Sequence, residues 1–178
     1  MLSLTDWLDR RPYKERFDGR FRQKMTPQRK HGITAGRIFS LLYEWGSDIG
    51  DTAVEWRVYL DDDTTLLPHV SFFRHERLAG LTEDERERPR LAPDIAVEIR
   101  SPKARQRSIL RKTELYLWFG TTFVLNVDTD ERTITVDDAD GSRTLRVGET
   151  IGHPAFPSLA IAVADVFSPL ERGKLRPQ

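Results

Sequence analysis

The chain has no cysteine, which excludes disulfides and thiolate-held metals and is neutral toward a reducing cytoplasm. It has no excess of either charge, with 28 Lys and Arg against 28 Asp and Glu. No field of one sign therefore draws in nucleic acid, and any such attraction must come from a local patch. Nor is there an apolar run near the ~18 residues that a membrane span needs. Met1 to Arg10 lacks the apolar core of a secretory signal. These absences imply a cytoplasmic protein with no membrane partner. What is present is an ordinary globular balance, 38% hydrophobic and 31% charged over 178 residues. That length suits one domain over residues 1–178, able to bury about two-thirds of its unfolded surface.

Strand and helix patterns alternate along the chain. Leu4 to Arg10 reads as a short amphipathic helix before Pro12, and Tyr13 to Met25 as two strands about an Asp18-Gly19 turn. Thr26-Pro27 opens a helix from about Gln28 to Gly46, with Ile33, Ile38, Leu41, Leu42 and Trp45 at helical spacing. Glu55 to Leu60 and Leu66 to Phe73 read as strands, and Leu78 to Arg90 as a charged loop or frayed helix. Ile95 to Arg100 is a strand, and a helix follows from about Arg105 to Phe119. Its apolar side carries Ile109, Leu110, Leu115 and Trp118, with Tyr116, Trp118 and Phe119 packing on the sheet. Gly120 caps that helix before a strand at Thr122 to Val127. Arg132 to Val136 and Thr144 to Val147 form an antiparallel pair around Asp140-Gly141, and Leu159 to Phe167 closes the chain as a strand or short helix. The expected fold class is α/β, or α+β with a mixed sheet, flanked by two main helices. The strand–helix–strand unit from Ile95 to Val127 supplies the crossover.

The residue out of place is Glu98. It stands in a strand otherwise built from Ile95, Val97 and Ile99, where a carboxylate is costly unless paired, solvated or bound to a cation. Alternation puts Asp94, Ala96, Glu98 and Arg100 on one side of that strand, with Glu98 and Arg100 about 6–7 Å apart. A carboxylate that holds a divalent cation, beside a cation facing the attacked phosphate, is what phosphodiester hydrolysis requires. The bland alternative is a half-exposed ion pair. Asp94 lies about 13 Å from Glu98 along the strand, too far to share an ion with it, and reads as an acid at the strand entrance. The helix beyond carries Lys103, Arg105, Arg107, Arg111 and Lys112, while Arg20, Arg22, Lys24, Arg29 and Lys30 form a second basic cluster. Either surface could hold phosphates or simply be solvated.

The run PDIAVEIRSP, with the downstream K..ELY and TTFVLNVD, resembles the signature of the Uma family. This is a family of bacterial proteins (domain of unknown function eight-twenty) described as proposed restriction endonucleases. Glu15-Arg16-Phe17-Asp18-Gly19 resembles its early acidic turn, and His31 stands where it usually has histidine. Leu67-Pro68-His69-Val70-Ser71-Phe72 resembles its P-D-V-S-F strand, and Pro157 to Phe167 its closing segment. The resemblance implies a restriction-endonuclease-like core of the PD-(D/E)xK type over nearly the whole chain.

It also implies roles. Glu98 matches the central metal-binding glutamate, Glu15 an N-terminal glutamate facing the same site, and Lys112 the helix lysine of the centre. The metal-binding aspartate of P-D-V-S-F is His69 in this chain, Ser108 stands where aspartate is common, and Arg100 where an aliphatic residue is common. The expected catalytic set is Glu98, Lys112 and Arg100, and the expected metal ligands are Glu98, His69 and Glu15. Lys103, Arg105, Arg107 and His31 are the expected contacts to nucleic acid. The cofactor would be Mg²⁺ or Mn²⁺, with the imidazole of His69 shifting preference toward Co²⁺, Ni²⁺ or Zn²⁺. DNA is the expected partner, a homodimer would supply two active sites for specific cutting, and no protein partner is inferred. The competing expectation is a catalytically inactive nuclease fold that binds nucleic acid or acts as a scaffold. Hydrolysis of another phosphate ester on the same core is a third possibility.

Overall fold

The computed structural model describes residues 14–24, 28–100 and 106–172. The expected helix at Leu4 to Arg10, and Lys103 and Arg105, lie outside the described residues. The chain opens with a hairpin of β1 (Lys14–Phe17) and β2 (Arg20–Gln23), followed by the long helix α1 (Arg29–Gly46). Asp18 and Gly19 both adopt positive φ, 52° and 67°, as a two-residue hairpin turn requires. Strand β3 (Gly50–Val54) leads to the short strands β4 (Val58–Tyr59) and β5 (Thr65–Leu66), and then to β6 (Val70–Arg74). Two short helices, α2 (His75–Leu78) and α3 (Glu83–Glu87), precede β7 (Ile95–Arg100). Helix α4 (Gln106–Trp118) then crosses to β8 (Phe123–Asp128). The remainder is β9 (Thr133–Asp138), β10 (Gly141–Leu145), β11 (Thr150–His153), β12 (Phe156–Ala162) and α5 (Val163–Arg172).

A mixed sheet of six strands, ordered β10-β9-β8-β7-β6-β3, forms the centre. Only β7 and β8 run parallel, joined by α4 as the crossover that a parallel pair demands. Ile95, Val97 and Ile99 face one core with Phe72, Leu125 and Val127, which is covered by Ile38 and Leu42 of α1 and by Val166 and Phe167 of α5. Ala96 and Val124 face the other, with Leu115 and Tyr116 of α4, Phe17 of β1 and Leu66 of β5. The two long helices thus cover opposite faces of the sheet, as expected for this fold class.

Several local expectations need correction. The strand expected at Glu55 to Leu60 is split, because Glu55 adopts positive φ (54°) and the regular strand runs before it, at β3. The strand expected at Leu66 to Phe73 is likewise two: β5 joins the hairpin sheet and β6 the central one, with Pro68, which has no N–H to donate, between them. The closing segment is both strand and helix, β12 running directly into α5. Trp118 does not pack on the sheet. It is 84% exposed, because it lies two residues, about 200° around the helix, from the buried Tyr116.

Gly50 sits where the start of β3 passes β6. A Cβ there would fall inside the contact radii of the Phe73 carbonyl oxygen and the Phe72 ring. Gly36, within α1, has open space at the same position. Gly50→Ala is therefore expected to destabilise the fold by about 2–3 kcal/mol in urea unfolding. Gly36→Ala should be neutral or stabilising by up to about 1 kcal/mol. Equal effects at the two positions would mean that β3 does not pack this closely.

A buried charge centre at the end of the central strand

Strand register builds the centre. Val70 of β6 pairs with Val97 of β7, so the preceding residue, His69, lies opposite Glu98. The His69 backbone N–H donates to the Val97 carbonyl at 3.0 Å. Helix α4 crosses above Glu98 and directs Lys112 and Tyr116, one turn apart, toward it. β1 brings Glu15 from the hairpin. Glu15, Glu98, Lys112 and His69 are all buried.

The Lys112 ammonium lies between the two carboxylates, 2.7 Å from Glu15 Oε1 and 2.5 Å from Glu98 Oε1. Glu15 Oε1 also accepts the Leu67 backbone N–H at 2.9 Å, and Tyr116 donates its hydroxyl to Glu98 Oε1 at 3.0 Å. The other oxygen of Glu98, Oε2, is 2.9 Å from His69 Nδ1. The same nitrogen is 3.2 Å from the Ile99 backbone N–H, and it cannot donate to one group and accept from the other. The shorter contact to an ionised carboxylate is the stronger, so Nδ1 carries the proton and donates it to Glu98.

Burial penalises every charge here, and the partners decide the outcome. For Glu98 burial favours the neutral acid, but Lys112, His69 and Lys24 outweigh it and hold its pKa well below the usual range. For Lys112 burial is overcome by Glu15 and Glu98, and its pKa is raised. For His69 burial wins over the attraction of Glu98, lowering its pKa to about 4, so the ring is neutral near pH 7. Tyr116 is pushed well above its ordinary value, first by burial and then by Glu98.

Two participants were not legible as such. Lys24 reads as part of a surface basic cluster, yet its ammonium is buried, donating to the Leu67 carbonyl at 2.6 Å and pairing with Glu55 at 3.3 Å. Burial lowers its pKa. The available signal was alternation, since Lys24 continues the face of Arg22, which lies opposite Glu15 in the hairpin. Tyr116 reads as packing, and its signal was the spacing of four residues from Lys112. His31 of α1 lies edge-on to His69, their ring centroids 4.3 Å apart.

The other expected residues have partners or surroundings of their own. Arg100 pairs with Asp128 at 2.8 Å, and it lines a cleft of about 410 Å³ into which Glu98 also opens. Asp94 is an acid of the other strand end: it accepts the Arg74 backbone N–H at 2.9 Å and pairs with Arg77 at 3.4 Å. Arg107 lines a cleft of about 780 Å³ with Arg20, Arg22 and Arg111.

A divalent cation needs donors with free lone pairs converging on one point. Among the described residues, no group of three His, Asp or Glu side chains could hold one ion. Glu98 Oε1 and Glu15 Oε1 are each engaged twice, Glu98 Oε2 faces an N–H, and Lys112 stands between the two carboxylates. This arrangement does not fit Mg²⁺.

The mixed sheet, its crossover helix and a carboxylate–lysine centre define a nuclease-like fold. Residues 3–164 match the family model Uma2, described as "Putative restriction endonuclease", and the chain belongs to that family. No curated protein matches the chain. A similar solved structure is that of "a putative nuclease belonging to DUF820" from Anabaena variabilis. It shares 24% identity at a TM-score of 0.80, over 94% of this chain and 98% of that one. Among the described residues no helix is long and apolar enough to cross a membrane.

Removing the Lys112 charge would leave two buried carboxylates facing one another. Lys112→Met is expected to cost about 3–5 kcal/mol in urea unfolding. Adding Glu98→Gln should recover part of that loss, and Tyr116→Phe alone should cost about 1 kcal/mol. A stable Lys112→Met variant would show that the ammonium is not what holds the carboxylates in place.

Proposed function

We propose that this chain is a DNA-binding protein of the nuclease family whose hydrolytic centre is closed to Mg²⁺ by His69. The observation that carries the reading is the saturation of Glu98: Lys112 and Tyr116 occupy one oxygen and His69 the other. The centre keeps the PD-(D/E)xK elements Glu15, Glu98 and Lys112, but its negative charge is neutralised from within. Binding falls to the arginine-lined cleft beside α4, where Arg20 and Arg107 form no ion pair with another described residue and face solvent. Such guanidinium groups engage backbone phosphates without reading sequence. The whole chain acts as one cytoplasmic domain, and a homodimer would place two such clefts on one duplex.

The sequence expectation of a working, metal-dependent DNA endonuclease remains the second reading. It is favoured by the paired imidazoles of His31 and His69 beside Glu98, since nitrogen donors suit Mn²⁺, Co²⁺, Ni²⁺ or Zn²⁺ better than Mg²⁺. In that reading Glu98, His69 and Glu15 are the ligands, and Lys112 and Arg100 the cations near the phosphate.

Cleavage of supercoiled and single-stranded DNA with Mg²⁺, Mn²⁺ or Co²⁺ separates the two. The wild type should bind DNA without nicking it in Mg²⁺, and His69→Asp should gain Mg²⁺-dependent nicking that a further Glu98→Gln removes. Wild-type nicking in Mn²⁺ or Co²⁺, abolished by Glu98→Gln, would select the second reading. Nicking in Mg²⁺ by the wild type would refute the closed-centre reading outright.

A further inference from the structure

Helix α4 has two unlike faces. Lys112 and Tyr116 turn toward the buried centre. On the outer side Arg107, Arg111, Glu114 and Trp118 fall within about 60° of one another, at roughly 100° per residue. Trp118 ends this stripe and is 84% exposed. Its indole has no hydrogen-bond or ring partner among the described residues. Trp45 and Trp56 are unlike it: their rings lie 5.1 and 4.8 Å from those of Phe72 and Phe73. Their N–H groups donate to Ser158 Oγ and to the Arg86 carbonyl, both at 3.1 Å.

Two recesses meet on the stripe. One, of about 400 Å³, lies between the helix end, with Leu115, Trp118 and Phe119, and the β4–β5 turn, with Asp61 and Thr64. The other is the arginine-lined cleft of about 780 Å³, and Arg111 and Glu114 border both. In the larger cleft four arginines stand against two carboxylates, Asp18 and Glu114. Arg111 takes up both of those, at 2.9 and 3.0 Å, which leaves Arg20 and Arg107 uncompensated. Cationic and aromatic surface thus run end to end, from Arg107 to Trp118, over about 16 Å of helix.

A positive groove that ends on an exposed aromatic ring suits an unpaired nucleic-acid strand. Its phosphates take the guanidinium groups and its bases offer a face to the ring. In a closed duplex each base face is covered by its neighbours, so the ring finds nothing to stack on. A protein partner fits less well, because interface cores are depleted of charge. Here Glu114 stands between Trp118 and Leu110, the other exposed large apolar residue of the helix.

We propose that the outer face of α4 is a single-strand binding surface. An unpaired base stacks on the Trp118 indole, and Arg20 and Arg107 hold backbone phosphates a few nucleotides along. This assignment rests on the DNA-binding reading and adds to it the form of strand that is bound.

Fluorescence anisotropy of the full chain with labelled oligothymidylate, at fixed salt, tests it. Trp118→Ala should weaken binding roughly tenfold, as loss of one stacked base predicts. Trp118→Phe should restore it to within about threefold, since the smaller ring still stacks. Relaxed circular duplex should compete poorly with the strand, and its own binding should be the same for wild type and Trp118→Ala. Oligothymidylate should also quench tryptophan emission in the wild type, and Trp118→Phe should remove that quenching. The urea midpoints of both variants should match the wild type, because the ring is exposed. Strand binding that Arg20→Ser weakens and Trp118→Ala leaves unchanged would overturn the stacking surface while sparing the DNA-binding reading. Absence of binding to either form of DNA would remove both. A wild-type dimer that Trp118→Ala dissociates in sedimentation would assign the ring to a second copy of the chain, and would likewise overturn the proposal.

Discussion

Lys112 is the constraint around which this structure is arranged. A buried ammonium is tolerated only where anions surround it, and a buried carboxylate only where cations or N–H groups do. Glu15, Glu98 and Lys112 meet both conditions at once, yet they come from a hairpin, a central strand and a crossover helix that are far apart in sequence. None of the three can be buried before the others arrive. The centre therefore ties the small hairpin sheet to the large sheet beside the apolar core that Phe17 and Leu66 share with Ala96 and Val124.

That dependence explains the geometry of α4. Lys112 and Tyr116 must both face Glu98, which sets the rotation of the helix, and the residues left on its outer side include large apolar ones. Trp118 is 84% and Leu110 52% exposed. A helix positioned by apolar packing alone would bury the tryptophan. Polar demand at one site has overridden hydrophobic preference at another, a local inconsistency of the kind that marks a functional region.

Much of this was legible in the chain. Glu98 was visible as the wrong residue in an apolar strand, and strand alternation gave the side on which it lies. The hairpin at Asp18-Gly19, the long helix, the parallel unit and its crossover all follow from turn chemistry and periodicity. What escaped depended on the third dimension. A buried lysine such as Lys24 has the same local pattern as a solvated one, and nothing in its neighbours reveals the Glu55 carboxylate waiting for it. Alternation places Arg100 on the face of Glu98 but does not reveal the ion pair it makes with Asp128, its neighbour across the β7–β8 register. The break between β5 and β6 escaped for a related reason: a continuous apolar run does not say when a chain changes sheets.

Charge arithmetic shows why His69 matters more than one ligand lost. Lys112 stands between Glu15 and Glu98, Lys24 pairs with Glu55, and His69, neutral near pH 7, adds no further negative charge beside Glu98. An aspartate at position 69 would add a charge of −1 beside Glu98, where its like charge and burial are both unfavourable. Such a centre calls for an external cation, whereas the present one closes on itself and donates a proton where a metal would need a lone pair. It follows that retention of Glu98 and Lys112 is not in itself a sign of turnover. With Lys112 held between Glu98 and Glu15, removing either partner would strand the other in the interior. The same pair that cleavage would require is then preserved by stability alone, and activity must be judged by whether a cation can still compete for the oxygens of Glu98.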